Sequence, residues 1–161
     1  MKAWAALVPA LLLAGCSPEP APAPPGTGLE DAAIERGVIR DPAARTLTGL
    51  YAREGDRLCV IERGGATRIG TFIDYGNGIG CTGRGGVTQT GERLRIDFGR
   101  GCAFDAAFDG DHLRFAGTVP AACEMLCTRR ASLAGIAMER LSDSVSEAEA
   151  LRDPRGKPLC G

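Results

Sequence analysis

GERLRIDFGRGCAFDAAFDGDHLRFAG, residues 91–117, decides the fold. Leu94, Ile96 and Phe98 fall on one side of an extended chain, and Arg93, Arg95 and Asp97 fall on the other. The same period of two then carries Cys102, Phe104, Ala106 and Phe108, and returns at Leu113 and Phe115. Strict apolar and polar alternation over a few residues is the pattern of a strand with one face in a core. Two of the turns between these runs open with Gly and an acid, Gly91-Glu92 and Gly110-Asp111, where glycine tolerates the positive φ that a tight hairpin needs.

Working outward, the opening motif recurs. GDRLCVIE at 55–62, GERLRIDF at 91–98 and GDHLRFAG at 110–117 share Gly, an acid, a basic or histidine residue, Leu, a variable position and then Val, Ile or Phe. We read three hairpin turns in a meander, each launching a strand. Further strands are expected over 46–52, 67–75, 79–84, 86–90 and 130–140. With about eight strands, the expected fold is mainly β: a small antiparallel barrel or a strongly curled meander, because closure removes exposed strand edges.

Two short helices flank it. Thr27-Gly28-Leu29-Glu30 has the spacing of a capping box and predicts a helix from Leu29 to Arg36, stopped by Gly37 with Pro42 beyond, and packing Leu29, Ala33 and Ile34 on the domain. Ser144-Val145-Ser146-Glu147 repeats the device near the end, before AEALR and Pro154. The tail after it is expected to return to the sheet, pinned by Cys160.

The chain holds 23 glycines, and its aromatic content is 5%, so its core needs covalent support. Of 7 cysteines, Cys16 sits apart near the N-terminus, leaving Cys59, Cys81, Cys102, Cys123, Cys127 and Cys160. An even set in an exported chain reads as disulfides. Sequence does not fix the pairing; the meander favours Cys81 with Cys102, and Cys160 with Cys123, Cys127 or Cys59. Cys123-Glu-Met-Leu-Cys127 lacks the second pair or the histidines of a zinc site, and has one residue too many for a thioredoxin-type pair. No metal and no cofactor is expected.

The first residues, MKAWAALVPALLLAGC, place Lys2 before an apolar run that ends at Gly15. That run is shorter than the roughly 20 residues needed to span a bilayer, and fits the apolar core of a secretory signal. Ser17 to Gly28, SPEPAPAPPGTG, is proline-rich and lacks large apolar residues. As a polyproline-like spacer of about 3 Å per residue, it reaches roughly 35 Å. The organisation read is a signal at 1–15, a tether at 16–28 and one domain at 29–161.

Leu13-Ala14-Gly15-Cys16 resembles the lipobox of bacterial lipoproteins. The resemblance implies cleavage before Cys16, a diacylglyceryl thioether on its thiol and an acyl group such as palmitate on its amine, with Ser17 in the second position directing the protein to the periplasmic face of the outer membrane. Two or three acyl chains hold a protein on a membrane where one does not. Taken whole, the chain resembles uncharacterised cysteine-rich lipoproteins of the proteobacterial cell envelope. A fainter likeness is to membrane-bound lysozyme inhibitors, small disulfide-bonded barrels on lipid anchors, whose Ser-Gly-Ala segment this chain lacks.

Lys and Arg number 19 against 20 for Asp and Glu. The arginines are dispersed, so the chain carries no electrostatic footprint for nucleic acid. Catalytic groups are sparse. His112 is the one histidine, and Ser132, Ser142, Ser144 and Ser146 sit outside any nucleophile-elbow context. Asp105, Asp109 and Asp111 lack the alternation of a calcium loop, and Asp109-Gly110-Asp111 reads as a turn. Tyr75-Gly76-Asn77-Gly78-Ile79-Gly80 is the candidate binding loop, with Tyr75 and Asn77 its distinctive side chains. The expected role is therefore an anchored, non-catalytic binding or inhibitory module whose partner is an envelope protein or a small ligand. The alternative is an accessory subunit of an envelope complex. An enzyme stands last, and would lose turnover on substitution of His112 or Asp111.

Overall fold

Apolar alternation and glycine-marked turns produce eight consecutive antiparallel strands. In the computed structural model they are β1 Gly49–Arg53, β2 Asp56–Arg63, β3 Ala66–Asp74, β4 Gly80–Thr90, β5 Arg93–Asp97, β6 Ala103–Phe108, β7 His112–Phe115 and β8 Ala137–Ser142. The structure describes residues 28–36, 38 and 46–161. The signal, Cys16, the tether, Thr27, Gly37 and Pro42 lie outside them. The chain divides between residues 40 and 41. On the first side a helix, α1, spans Leu29–Glu35 with Gly28 as its N-cap, and Leu29 is 94% exposed.

On the second side the strands close in sequence order, β8 returning to β1. Register explains the core. Leu58 faces Thr71, Val60 faces Ile69, Ile96 faces Phe104, Phe108 faces Leu113, and Leu113 faces Met138, all of them buried. A shift of one residue would turn each of these side chains to solvent, so the alternation fixes the register. The three Gly-acid motifs do form the β1–β2, β4–β5 and β6–β7 turns. Gly91 and Gly110 take φ of 61° and 114°, whereas in the first turn Glu54 takes the left-handed position at 49°.

Arg140 closes one end of the barrel. It occupies an inward position of β8 opposite Tyr51, with its guanidinium 4.8 Å from the Tyr51 ring centre and 5.2 Å from that of Phe108. Its nitrogens donate to the carbonyls of Gly110 at 3.1 Å, of Thr48 at 2.6 Å and of Thr46. The Tyr51 hydroxyl donates to the Leu47 carbonyl at 2.6 Å.

Two expected elements differ. The strands read at 79–84 and 86–90 are one strand, β4, which pairs with β3 through Gly80–Gly86 and with β5 from Gly86 onward. Glycine does not break it: a Cβ on Gly85 would stand 1.9 Å from the Asp97 carbonyl oxygen, so glycine permits the close approach where β4 changes neighbours. The strand expected over 130–140 begins only at Ala137. Ala131, Leu133 and Ile136 are buried as a loop that covers the core, turned by Gly135 at φ 69°. A 3₁₀ turn at Ala121–Leu126, unforeseen in the sequence, precedes it.

After β8, helix α2 spans Val145–Ala150, and the Ser144 hydroxyl accepts from the Glu147 amide at 3.3 Å, as the capping box predicts. Ala148, Leu159 and Cys160 then form a second apolar cluster with Cys59 and Ile61, joined by Phe72 and Leu151. Gly70 makes this possible, because a Cβ there would lie 2.3 Å from the Leu159 carbonyl oxygen.

Three disulfides staple the unit: Cys59–Cys160, Cys81–Cys127 and Cys102–Cys123. The Cys81–Cys102 pairing favoured by the meander is corrected. The β4–β5 ladder starts only at Gly86, which leaves Cys81 at the far end of β4, where the chain after the 3₁₀ turn lies opposite it as a bridge partner. Cys160 takes Cys59, one of its three open partners, and Cys123 and Cys127 go to different partners rather than to each other.

Candidate functional site

The outer face of the β3–β4 hairpin carries Phe72 opposite Thr82 and Asp74 opposite Gly80. Two other segments rise beside it and enclose a cleft of about 690 Å³. One wall is the end of the 3₁₀ turn and the residues after it, Met125 to Thr128; the other is the turn from Asp153 to Lys157. The β3–β4 loop forms the rim.

That loop is the sequence-predicted binding loop. Left-handed conformations at Gly76, Asn77 and Gly78, with φ of 78°, 54° and 70°, curl it tightly. The Tyr75 amide donates to the Ile79 carbonyl at 2.9 Å, and the Gly76 amide to Asp74 Oδ1 at 2.8 Å. Asn77 faces the cleft, with Gly76, Gly78 and Ile79. Tyr75 does not line it: its hydroxyl donates to the Ser132 carbonyl at 2.9 Å and ties the loop to the segment after the 3₁₀ turn. The structure thus brings Asn77 to the site and gives Tyr75 a fastening role.

The first wall is fastened three ways. Cys127 is bonded to Cys81, the Thr128 amide donates to the Gly80 carbonyl at 2.8 Å, and the Gly80 amide donates to Thr128 Oγ1 at 2.9 Å. Met125, 60% exposed, stands at the lip as an unbranched apolar side chain able to fit varied surfaces.

The second wall is organised by Asp153, which is buried. Its Oδ1 accepts from the Arg155 and Lys157 amides, each at 2.9 Å, and its Oδ2 from Arg84 at 2.5 Å. Arg84 Nε also donates to the Pro158 carbonyl at 2.8 Å. Desolvation pushes the Asp153 carboxyl up, but the Lys157 amide, the Arg84 guanidinium and the Arg155 amide outweigh it and hold the group below the ordinary carboxylate range. Arg155 and Lys157 line the cleft together with Asp74, Asn77 and the apolar Phe72, Ile79 and Leu126, so it presents both charges beside apolar side chains.

The remaining sequence candidates lie elsewhere. Asp109 accepts from the Asp111 amide at 3.1 Å, the His112 amide at 2.7 Å and Arg114 at 3.0 Å, while Asp105 pairs with Arg95 at 3.1 Å. Desolvation raises the Asp109 carboxyl, yet these donors and the neighbouring His112 bring it to about 2. The acidic cluster is a self-satisfied turn, and among the described residues no group of three or more His, Cys, Asp or Glu is placed to hold a metal ion. His112 Nδ1 lies 3.3 Å from Asp109, outside the cleft. The serines have local partners: Ser132 Oγ accepts from the Ala134 amide, Ser142 Oγ from the Ser144 amide, and Ser144 Oγ lies 2.9 Å from Ser146 Oγ.

Sequence reasoning missed Arg84, Met125, Asp153 and Lys157 as cleft residues. The available signal was Asp153-Pro-Arg-Gly, a turn sequence shortly before a cysteine that has to reach the sheet. Compared with protein-family models, with curated proteins and with solved structures, the chain matches none.

Proposed function

We propose that this chain is an exported lipoprotein, anchored through Cys16 at the periplasmic face of the outer membrane, and that its barrel is a non-catalytic binding or inhibitory module. Leu13-Ala14-Gly15-Cys16 and the proline-rich tether support the anchor. The observation that carries the binding reading is the cleft. Three separate segments converge on it, two are clamped by disulfides, and the rim offers Asn77, Arg155 and Lys157 around the apolar floor of Phe72, Ile79 and Leu126. A preformed concave site with an apolar centre and a few polar groups is the usual form of a ligand pocket. Its lining contains neither serine nor histidine, which favours association over turnover. The partner is an envelope protein or a small ligand, met at the length of the tether from the bilayer.

The test is an in-cell crosslink and pull-down from envelope membranes with the full chain, a Cys16→Ala form and a Thr82→Trp form that fills the cleft floor. The full chain is expected in the membrane fraction and Cys16→Ala in the soluble one. One partner enriched by both, and weakened about tenfold or more by Thr82→Trp, supports the reading, since binding energy concentrates in a few central residues. Capture that ignores Thr82→Trp and follows one large complex would instead favour an accessory subunit.

A further inference from the structure

Five of the six bridged cysteines are buried: Cys59, Cys81, Cys102, Cys123 and Cys160 are at most 3% exposed. Cys127 is half-buried and lines the cleft. Three cations, Arg84, Arg155 and Lys157, line the same cleft against two carboxylates, Asp74 and Asp153, so its balance of charge favours the approach of an anionic thiolate. We infer that Cys127 is the entry point for thiol–disulfide exchange in this protein, and that a dithiol reductant opens the Cys81–Cys127 bridge selectively and thereby loosens one wall of the cleft.

The exchange balances as follows. A thiolate of the dithiol attacks Cys127 Sγ; the Cys81–Cys127 bond breaks, and Cys81 leaves as a thiolate that takes a proton. The second thiol of the reductant, as its thiolate, attacks the reductant sulfur of the mixed disulfide, and Cys127 leaves and is protonated. The dithiol becomes a disulfide, and two electrons and two protons pass to the two cysteines.

The structural consequence follows from what remains attached. Cys123 stays bonded to Cys102, so the 3₁₀ turn is still held near its middle. Its far end, Met125 to Thr128, then depends on the hydrogen bonds between Thr128 and Gly80 and on the Tyr75 hydroxyl bond to Ser132. The wall swings from Cys123 while the barrel, whose strands pair around the full circle, stays closed. The other bridges respond differently. Both cysteines of Cys59–Cys160 are buried in the cluster with Ile61, Ala148 and Leu159, and both of Cys102–Cys123 are buried in the main core, which Cys81 shares but against which Cys127 packs only partly buried.

The decisive experiment titrates the full chain, with Cys16→Ser so that only the six bridged cysteines remain, with dithiothreitol in the absence of denaturant. Free thiols are trapped with iodoacetamide and mapped by mass spectrometry after combined cleavage at Arg, Lys and Glu, which separates Cys123 from Cys127. Alkylation is expected at Cys127 about tenfold faster than at any cysteine of the other two bridges, with the far-ultraviolet circular dichroism unchanged. Earlier opening of another bridge, or opening of all three together with loss of the spectrum, overturns the inference. A Cys81→Ser/Cys127→Ser chain is expected to keep its barrel and to show about tenfold faster amide exchange at Leu126 to Thr128. Failure of that chain to fold, or unchanged exchange there, also overturns it. Because the readout is sulfur chemistry and amide protection, it is independent of whether the cleft binds a partner.

Discussion

Arg140 shows how one polar residue serves a core. The alternation that makes β8 a strand puts this arginine inside the barrel, where a charge is costly unless fully bonded. The Tyr51 and Phe108 rings, and the carbonyls of Thr46, Thr48 and Gly110, meet that need. Arg140→Met is expected to cost about 2–5 kcal/mol in urea unfolding, because the carbonyls lose their donor. Arg140→Lys should recover only part of it, since one ammonium lacks the planar fork. Gly70→Ala places a methyl against the Leu159 carbonyl and should cost about 1–3 kcal/mol by displacing the tail. Asp109 and Asp153 both have lowered carboxyls. A lowered group contributes stability that is present above its unfolded value near 4 and disappears as the pH falls toward its folded value. Stability should therefore decline from about pH 4 toward pH 2, and Asp109→Asn should flatten that decline when unfolding is followed across the range. The Asp109 turn was legible, because Asp109-Gly110-Asp111 reads as a turn, but the bonding of Arg140 was not, because it reads there as one of many dispersed arginines.

At the scale of elements, legibility follows local chemistry. β5, β6 and β7 were readable because strict alternation and Gly-acid turns are properties of neighbouring residues. Helix α2 was readable for the same reason, through Ser144 and Glu147; Ser144→Ala is expected to lower stability by about 1 kcal/mol and to weaken amide protection in that helix. The misses are elements fixed by distant partners. Gly85 looks like a break between two strands, and lies within a continuous strand because Asp97 and Phe98 pack closely against it. Residues 131–136 carry strand-like alternation, yet bury Leu133 and Ile136 as a covering loop. The candidate loop was half legible: its glycines and Asn77 announced a curled loop at a rim, but Tyr75 turned away to Ser132, and the walls come from residues about 50 and about 80 positions further along the chain.

At the largest scale, the second unit is a closed barrel with two attachments. The 3₁₀ turn and its following loop, and the C-terminal tail, each lie across the barrel, and each is tied back by a cysteine: Cys123 and Cys127 for the first, Cys160 for the second. Those ties build the cleft. A bridge of long sequence separation contributes about 2–4 kcal/mol, so removing Cys59–Cys160, separated by 101 residues, should lower stability by that order and release the tail from Gly70. Closure was one of two outcomes the sequence left open, beside a strongly curled meander, and the pairing of the cysteines was open too, because order along a meander does not say which strand ends meet. Everything proposed for the cleft stands on that pairing. The most direct measurement is therefore disulfide mapping of the unreduced chain, cleaved at Arg and Lys and again at Glu124 to part Cys123 from Cys127. Linked peptides joining Cys59 to Cys160, Cys81 to Cys127 and Cys102 to Cys123 are the predicted result; a peptide joining Cys81 to Cys102 would leave the cleft without its first wall and contradict the account.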